Sequence, residues 1–512
     1  MRLDARNLPA KTMLDADICI VGAGPAGLTL AREFAGSKTT VLIFESGGLN
    51  LDERSQELNV GAVIGGPYVG LRQSRFRQVG GTAHLWNTDV GDKRGAKYVP
   101  LDPWDFDALA DSVHTEWPIQ FSELEHFYQR AQIVCGLGPF TYEGQDWSDA
   151  QHPLLPLSVD QLRTKVYQCG VGQAFTNLYP KEIIESENIQ LCHHATVRRL
   201  RMRTAGKHAS EASVATLSGN EFHARAGIFV LAAGAIENAR LLLVSGERGA
   251  ESPGNKFGWV GRCFTEHPRD RSLTLIPRSP NLFDETTFYD LHSALDGTVV
   301  CGRIALDGSM IRTNGVPNAS ITLLPRPRNS PMRLPSVVAK ITSYLPRFIG
   351  TEPTIGYGWS RKRNRRQKFD AFELLINLEQ QPNPENRIVL AQKCDLLGVP
   401  RVNLIWRWND AEQANLERLR VVIASMLEAS EIGRIEVKAG CHPDPNAHHH
   451  AGTTRMQANP RWGVVDADAR VHGTENLYVT GASVLCRAGF ANPTLTIVAF
   501  ALRLADHLKQ RI

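Results

Sequence analysis

The residue types best suited to chemistry lie near the two ends of the chain. Close to the start, Asp17-Ile-Cys-Ile-Val-Gly-Ala-Gly-Pro-Ala-Gly-Leu-Thr-Leu passes from an apolar stretch through a glycine turn into apolar residues at helical spacing, and Thr40-Val-Leu-Ile-Phe-Glu45 follows. Gly22 permits a tight turn, Gly24 lets backbone approach a pyrophosphate and Gly27 allows close helix packing, so the helix N-terminus presents unpaired N–H groups to phosphates. Glu45 ends the second apolar run, where a carboxylate accepts bonds from both ribose hydroxyls. Together these segments point to an adenine dinucleotide site. Near the other end stand His448, His449 and His450, followed by Ala-Gly452-Thr, and then Asn492 before Pro-Thr-Leu-Thr496. Three successive histidines with Cys441-His442 upstream invite a metal. Neighbouring side chains of an extended chain point to opposite faces, however, so no metal centre is expected.

Beyond these residues, Ile189–Val197 and Gly227–Ala235 read as strands that rejoin the first, which makes the nucleotide-binding unit discontinuous. Residues 96–184 carry aromatics, prolines and short helical patterns such as Ser122-Glu-Leu-Glu-His-Phe-Tyr, and read as a helical excursion. From about 270 to 440, strand candidates recur at Leu273–Ile276, Val299–Leu306, Ala319–Leu324, Phe372–Glu379, Arg387–Leu390 and Val402–Trp408, which predicts a mostly antiparallel sheet. A helix beginning at Asp410, with Asp410 as its cap, interrupts the set.

The chain has 512 residues, which predicts at least two structural units, and its 42% hydrophobic and 21% charged content is that of an ordinary globular protein. Nine cysteines without a C-x-x-C pair are read as reduced, the N-terminus shows no secretion signal, and no run of apolar residues is long enough to span a bilayer; a cytosolic compartment is expected. Net charge is +4, yet residues 326–368 hold eleven Lys/Arg against one acidic residue. That segment reads by default as a solvated basic loop, with peripheral contact to an anionic membrane or an acidic electron acceptor as the alternative; nucleic acid is not expected.

Four separated segments then converge on one family. The GAGPAG turn, Arg77-Gln-Val-Gly-Gly-Thr-Ala-His-Leu-Trp-Asn87, Leu231-Ala-Ala-Gly-Ala-Ile-Glu-Asn-Ala-Arg, and His448-His-His-Ala-Gly-Thr-Thr-Arg-Met through Asn492-Pro-Thr-Leu-Thr together resemble the glucose-methanol-choline (GMC) flavoprotein oxidoreductases. The resemblance implies an α/β (α+β overall) chain. A Rossmann-like FAD-binding domain would be formed by 1–95, 185–272 and 440–512, and a mostly antiparallel substrate domain by 96–184 and 273–439, with the basic insertion at 326–368. It assigns Gly22, Gly24, Gly27 and Glu45 to the adenosine-diphosphate site, Gly80, Gly81 and Thr82 to a second glycine turn, Val197 to adenine, and Gly481 and Asn492 to the flavin.

In the family pattern His-x-x-Gly-Thr the base is the histidine three places before glycine, here His449, and its partner is Asn492. Alcohol oxidation removes a hydroxyl proton and a hydride from one carbon; a neutral imidazole takes the proton while an amide donor holds the oxygen. The expected reaction is therefore oxidation of CH–OH in a sugar, glycoside or other alcohol, with dioxygen, a quinone or a redox protein as electron acceptor. Flavin lyases and a photodecarboxylase share the fold and remain alternatives. In relatives with covalent flavin the attachment histidine falls where this chain has Leu85, one place after His84, so FAD is expected to be non-covalent. His450 is expected to line the pocket. Arg487 is read either as a receiver of an anionic substrate group or as half of a structural ion pair, and Glu379 and Gln381 either as substrate contacts or as an exposed strand end.

Overall fold

A computed structural model of the chain describes residues 1–86, 88–90, 93–108, 114–158, 160–203, 207–246, 252–328 and 358–512. The apolar runs recognised in the sequence become the centre of a first sheet. Its strands lie in the order Arg2–Asp4, Ile189–His193, Val41–Phe44, Met13–Val21, Glu221–Leu231, His208–Ala215 and Thr196–Arg203, and Leu477–Val479 also pairs with Glu221–Leu231. The pairings from Arg2–Asp4 through Glu221–Leu231, and that of Leu477–Val479, are parallel, and Ile18, Ile20, Leu42, Ile43 and Val230 are buried, as expected where both faces are covered. The helix Pro25–Arg32 follows the first glycine turn, and Thr494–Lys509 packs beside it.

A second sheet is antiparallel throughout, in the order Gly433–Val437, Arg269–Pro277, Phe369–Leu378, Ala319–Pro327, Val299–Leu306, Leu162–Val171, Lys93–Tyr98 and Thr88–Val90. Successive side chains alternate between its faces. Leu273, Leu275, Ile304, Ile321, Leu323, Leu374 and Ile376 form one apolar face, covered by Leu416, Leu419, Ile423 and Leu427 of the helix Asp410–Ala429. The cap of that helix is Asn409 rather than Asp410. Asn409 Oδ1 accepts from the Glu412 N–H at 2.8 Å while Glu412 Oε2 accepts from the Asn409 N–H at 2.9 Å, a reciprocal box that leaves Asp410 in the first turn.

Two parts of the sequence belong elsewhere than expected. Arg387–Cys394 and Pro400–Trp406 are strands, but they pair with each other and with Ala62–Gly65 in a three-stranded sheet, and Ile388, Val402, Leu404 and Trp406 join the core of the nucleotide-binding half. Conversely, Thr88–Val90 and Lys93–Tyr98 are strands of the second sheet, although 88–95 was expected in the nucleotide unit; Leu162–Val171 lies in the substrate domain as expected, but as a strand of that sheet and not within a helical excursion. All nine cysteines are free thiols. Among the described residues no helix is long and apolar enough to cross a membrane.

Candidate functional site

The first glycine turn is shaped by close backbone approach. Gly22 has φ +110°, and a Cβ there would sit 2.6 Å from the Ala232 carbonyl oxygen; a Cβ on Gly27 would lie 2.0 Å from the Gly22 carbonyl oxygen. Gly24 caps the helix without a side-chain hydrogen bond, and Pro25 follows at the first helical position, so the helix N-terminus opens outward. The second turn meets the first: a Cβ on Gly81 would be 3.1 Å from the Gly24 Cα. Gly22, Gly24, Glu45, Gly81, Thr82, Val197, Gly481 and Asn492 line one cavity of about 1610 Å³, well above the roughly 300–1,000 Å³ of a single small-molecule pocket. Gly27 and Gly80 do not line it and act through backbone packing, the Gly80 N–H donating to the Ala23 carbonyl at 2.8 Å. Glu45 is buried and its carboxylate accepts from the Ala23 and Gly47 N–H groups at 3.0 and 2.9 Å; desolvation nevertheless pushes its pKa up.

His449 and Asn492 line the other end of the same cavity, between the two sheets. Asn492 Nδ2 lies 3.1 Å from His449 Nε2, and His449 Nδ1 lies 2.8 Å from Nδ1 of His267. His267 is buried, and its Nε2 is 3.3 Å from the Ala488 carbonyl oxygen. A carbonyl only accepts, so Nε2 of His267 carries the proton. Burial lowers the His267 pKa to about 4, so the ring is neutral and its Nδ1 is an acceptor. His449 must then donate from Nδ1, and its lone pair is on Nε2, beside the Asn492 amide. Burial, with His267 and Arg269 nearby, holds the pKa of His449 well below the ordinary histidine value, so the ring is a neutral base.

Glu266 ties this assembly together. Its Oε2 accepts the backbone N–H groups of His449 at 2.9 Å and His267 at 3.2 Å, while its Oε1 accepts the Tyr68 hydroxyl, which lies 2.8 Å from His450 Nε2. Desolvation raises the Glu266 pKa to about 7. His448 and His450, two residues apart, share a side: one ligand atom from each and one from Glu266 lie within 4.8 Å of one another. Successive side chains diverge, which sets His449 apart from its neighbours, but residues two apart share a face, so His448 and His450 stand together. Sequence reasoning passed over Tyr68, Glu266 and His267; the signal available was a Glu-His pair inside the apolar stretch Cys263-Phe-Thr-Glu-His-Pro.

Three expected substrate contacts do not reach the cavity. Arg487 and Glu379 are buried and joined by two hydrogen bonds, Nε to Oε1 at 2.8 Å and Nη2 to Oε2 at 2.7 Å, so each neutralises the other. Asp105, 3.9 Å from Arg487, is buried beside Glu379, and desolvation together with that carboxylate pushes its pKa up to about 7. Gln381 lines no part of the cavity; its neighbour Gln380 instead accepts the Glu266 N–H at 3.1 Å. His450 does line it, as do His84 and Leu85, and His84 Nε2 lies 2.8 Å from the Val79 carbonyl oxygen. Of the basic insertion, 329–357 lies outside the described residues. Its end is tied down: Arg361 donates to the Leu291 carbonyl at 2.8 Å, Arg365 and Arg366 pair with Asp284, and Trp359 is buried.

Residues 382–501 match the family model described as GMC oxidoreductase. Over 96% of this chain and 92% of its own length, 6'''-hydroxyparomomycin C oxidase of Streptomyces lividus is 24% identical; the fructose dehydrogenase large subunit of Gluconobacter japonicus is 22% identical over 96% and 97%. The crystal structure of pyridoxine 4-oxidase from Mesorbium loti superposes with a TM-score of 0.57 at 17% identity, covering 97% of this chain and 99% of that one. Fold, glycine turns and the matched C-terminal region agree in their likeness to the GMC oxidoreductases.

Proposed function

We propose that the protein is an FAD-dependent oxidoreductase that converts a CH–OH group of a sugar, glycoside or other alcohol to a carbonyl. The observation that carries this reading is the proton order Asn492, His449, His267, Ala488, which leaves the His449 Nε2 lone pair beside an amide donor in the cavity. A substrate hydroxyl placed there loses its proton to Nε2 while Asn492 Nδ2 donates to the oxygen as negative charge develops. His267 accepts from Nδ1 throughout and so keeps the ring in register as it becomes an imidazolium.

The residues at the other end suit FAD. The N-terminus of the helix Pro25–Arg32, the open space over Gly24 and the close approach of Gly81 form a cradle for a pyrophosphate, and Glu45 and Val197 line the stretch suited to adenosine. Bound FAD would supply the acceptor for the substrate's hydride, so that two electrons and one hydrogen leave the carbon as the hydroxyl proton leaves the oxygen. Dioxygen, a quinone or a redox protein would then take up the two electrons. Leu85 at the usual attachment position, and the bond of His84 Nε2 to a carbonyl, support non-covalent binding. The names of the two curated relatives, an oxidase of a hydroxylated paromomycin and a fructose dehydrogenase, support a sugar-like substrate. The test is anaerobic mixing of the oxidised holoprotein with a panel of alcohols and sugars. Bleaching of the flavin by one class supports the reading, and a flavin unchanged by the whole panel opposes it.

A further inference from the structure

Two imidazoles and a carboxylate converge outside the cavity, at the edge of the first sheet. The parallel pairing of Arg2–Asp4 with Ile189–His193 sets Asp4 beside His193. Successive side chains of an extended strand diverge, so His194 would ordinarily point away from His193. Instead it leaves the strand at φ +56°, left-handed backbone that few residues other than glycine adopt. The turn brings its ring centroid to 5.0 Å from that of His193. One ligand atom from each of Asp4, His193 and His194 then falls within 4.8 Å of the others. Left-handed residues other than glycine cluster at ligand clamps and other functional sites.

A second observation points to a ligand. His193 is 6% exposed, and its Nδ1 is buried without a hydrogen-bond partner among the described residues, whereas buried polar atoms are nearly always paired. The carboxylate can be released to an ion. Asp4 accepts from the Arg6 guanidinium, Nε to Oδ1 at 2.9 Å and Nη2 to Oδ2 at 2.6 Å, but the Arg6 side chain is 50% exposed, and pairs at such positions are weakly held. The charged side chains acting on the two rings are Asp4, Asp52, Arg2 and Arg6, so their charges balance. We infer that Asp4, His193 and His194 form a site for a divalent transition-metal ion, with Zn²⁺ as the type case. Two imidazole nitrogens and a carboxylate oxygen suit Zn²⁺, Ni²⁺ or Cu²⁺, whereas Mg²⁺ and Ca²⁺ take oxygen ligands. With bonds of about 2.0–2.2 Å to zinc, tetrahedral ligand atoms stand about 3.4 Å apart, so these three draw in by at most about 1.5 Å. The ion clasps the edge strand Arg2–Asp4 to its neighbour and steadies the nucleotide end. The His194 N–H donates to the Gly47 carbonyl at 2.8 Å, its ring covers Gly48, where a Cβ would meet Cε1 at 2.6 Å, and the Gly47 N–H donates to Glu45 Oε1 at 2.9 Å.

The experiment titrates the chelator-stripped holoprotein with Zn²⁺ in competition with a chromogenic chelator. The parent should bind the ion. His194→Asn, which keeps a residue tolerant of left-handed backbone, and Asp4→Asn should each weaken binding about 100-fold or more, since loss of even a group that only supports a ligand costs about 10–100-fold. Arg6→Gln should tighten it by removing the cation that competes for Asp4. Zn²⁺ should also raise the unfolding temperature of the parent but not of His194→Asn, because an ion bound only by the folded state stabilises that state. Mg²⁺ should do neither. Glu266, His448 and His450 also bring ligand atoms within 4.8 Å of one another, so His450→Gln is the control. Zinc kept by His450→Gln and lost from His194→Asn, each variant retaining its flavin, supports the inference. Zinc kept by His194→Asn and lost from His450→Gln, or no zinc bound by the parent, would overturn it.

Discussion

Replacing His267 separates a positioned base from an imidazole that is merely present. In His267→Ala the Nδ1–H of His449 loses its acceptor, so the tautomer with a free Nε2 is no longer held. A buried donor left without a partner costs about 1–3 kcal/mol, and at 1.36 kcal/mol per tenfold the competent form falls by about 5- to 150-fold. His267 contacts the base from the side away from Asn492, so substrate affinity should change little. His267→Gln offers a side-chain oxygen and should recover part of the loss, which simple loosening of the core would not allow. The Ala variant should also move the acid limb of the rate profile further down, because the neutral acceptor that stabilises the His449 imidazolium is gone while burial still depresses its pKa. The assay is the anaerobic rate of flavin reduction at saturating substrate, against pH. A wild-type rate and profile in His267→Ala, with flavin bound, would refute the reasoning.

Other outcomes follow from the same geometry. Because His449 is held well below the ordinary histidine value, its neutral form should persist and flavin reduction should not lose a proton acceptor between pH 8 and about 6.5, falling only at lower pH; loss of half the rate above 6.5 would contradict this. Glu266 titrates near 7, so the profile should be taken in Glu266→Gln as well, and the limb common to both belongs to the base. Arg487→Gln leaves Glu379 buried without its partner and should lose about 3–5 kcal/mol in denaturant unfolding, with equal effects on all substrates; a substrate-selective change in Kd at unchanged stability would restore a recognition role. Acid precipitation should release the flavin into the supernatant, and yellow colour retained by the polypeptide would show covalent attachment.

Much of the nucleotide end is legible in the sequence because it is local. Gly22, Gly24, Gly27 and Glu45 sit on consecutive elements; Gly22 and Gly27 answer to contacts a Cβ would break, and Gly24 leaves open space beside the cavity. The helix Asp410–Ala429 is legible from its apolar spacing for the same reason, and its cap is displaced by one residue only because Asn409 and Glu412 bond reciprocally. What depends on distant pairing is hidden. Arg487 and Glu379 lie 108 residues apart, and neither shows in the sequence that it will neutralise the other. Arg387–Cys394 and Pro400–Trp406 have ordinary strand patterns, but their partner Ala62–Gly65 is far upstream, so their sheet could not be assigned. His267 reaches His449 across 182 residues.

The central claim is that Nε2 of His449 takes the substrate proton, and the most direct test is the reductive half-reaction of single histidine variants followed anaerobically by stopped flow. His449→Ala should keep the fold and the flavin, since it lies away from the glycine turns, and should reduce about 10²–10⁴-fold more slowly, the usual worth of general base assistance. His448→Ala and His450→Ala should lose far less, because it is His449 that Asn492 meets, while His450 Nε2 lies beside the Tyr68 hydroxyl. Reduction by His449→Ala at the rate of the parent, with the large loss appearing in His450→Ala instead, would contradict the account.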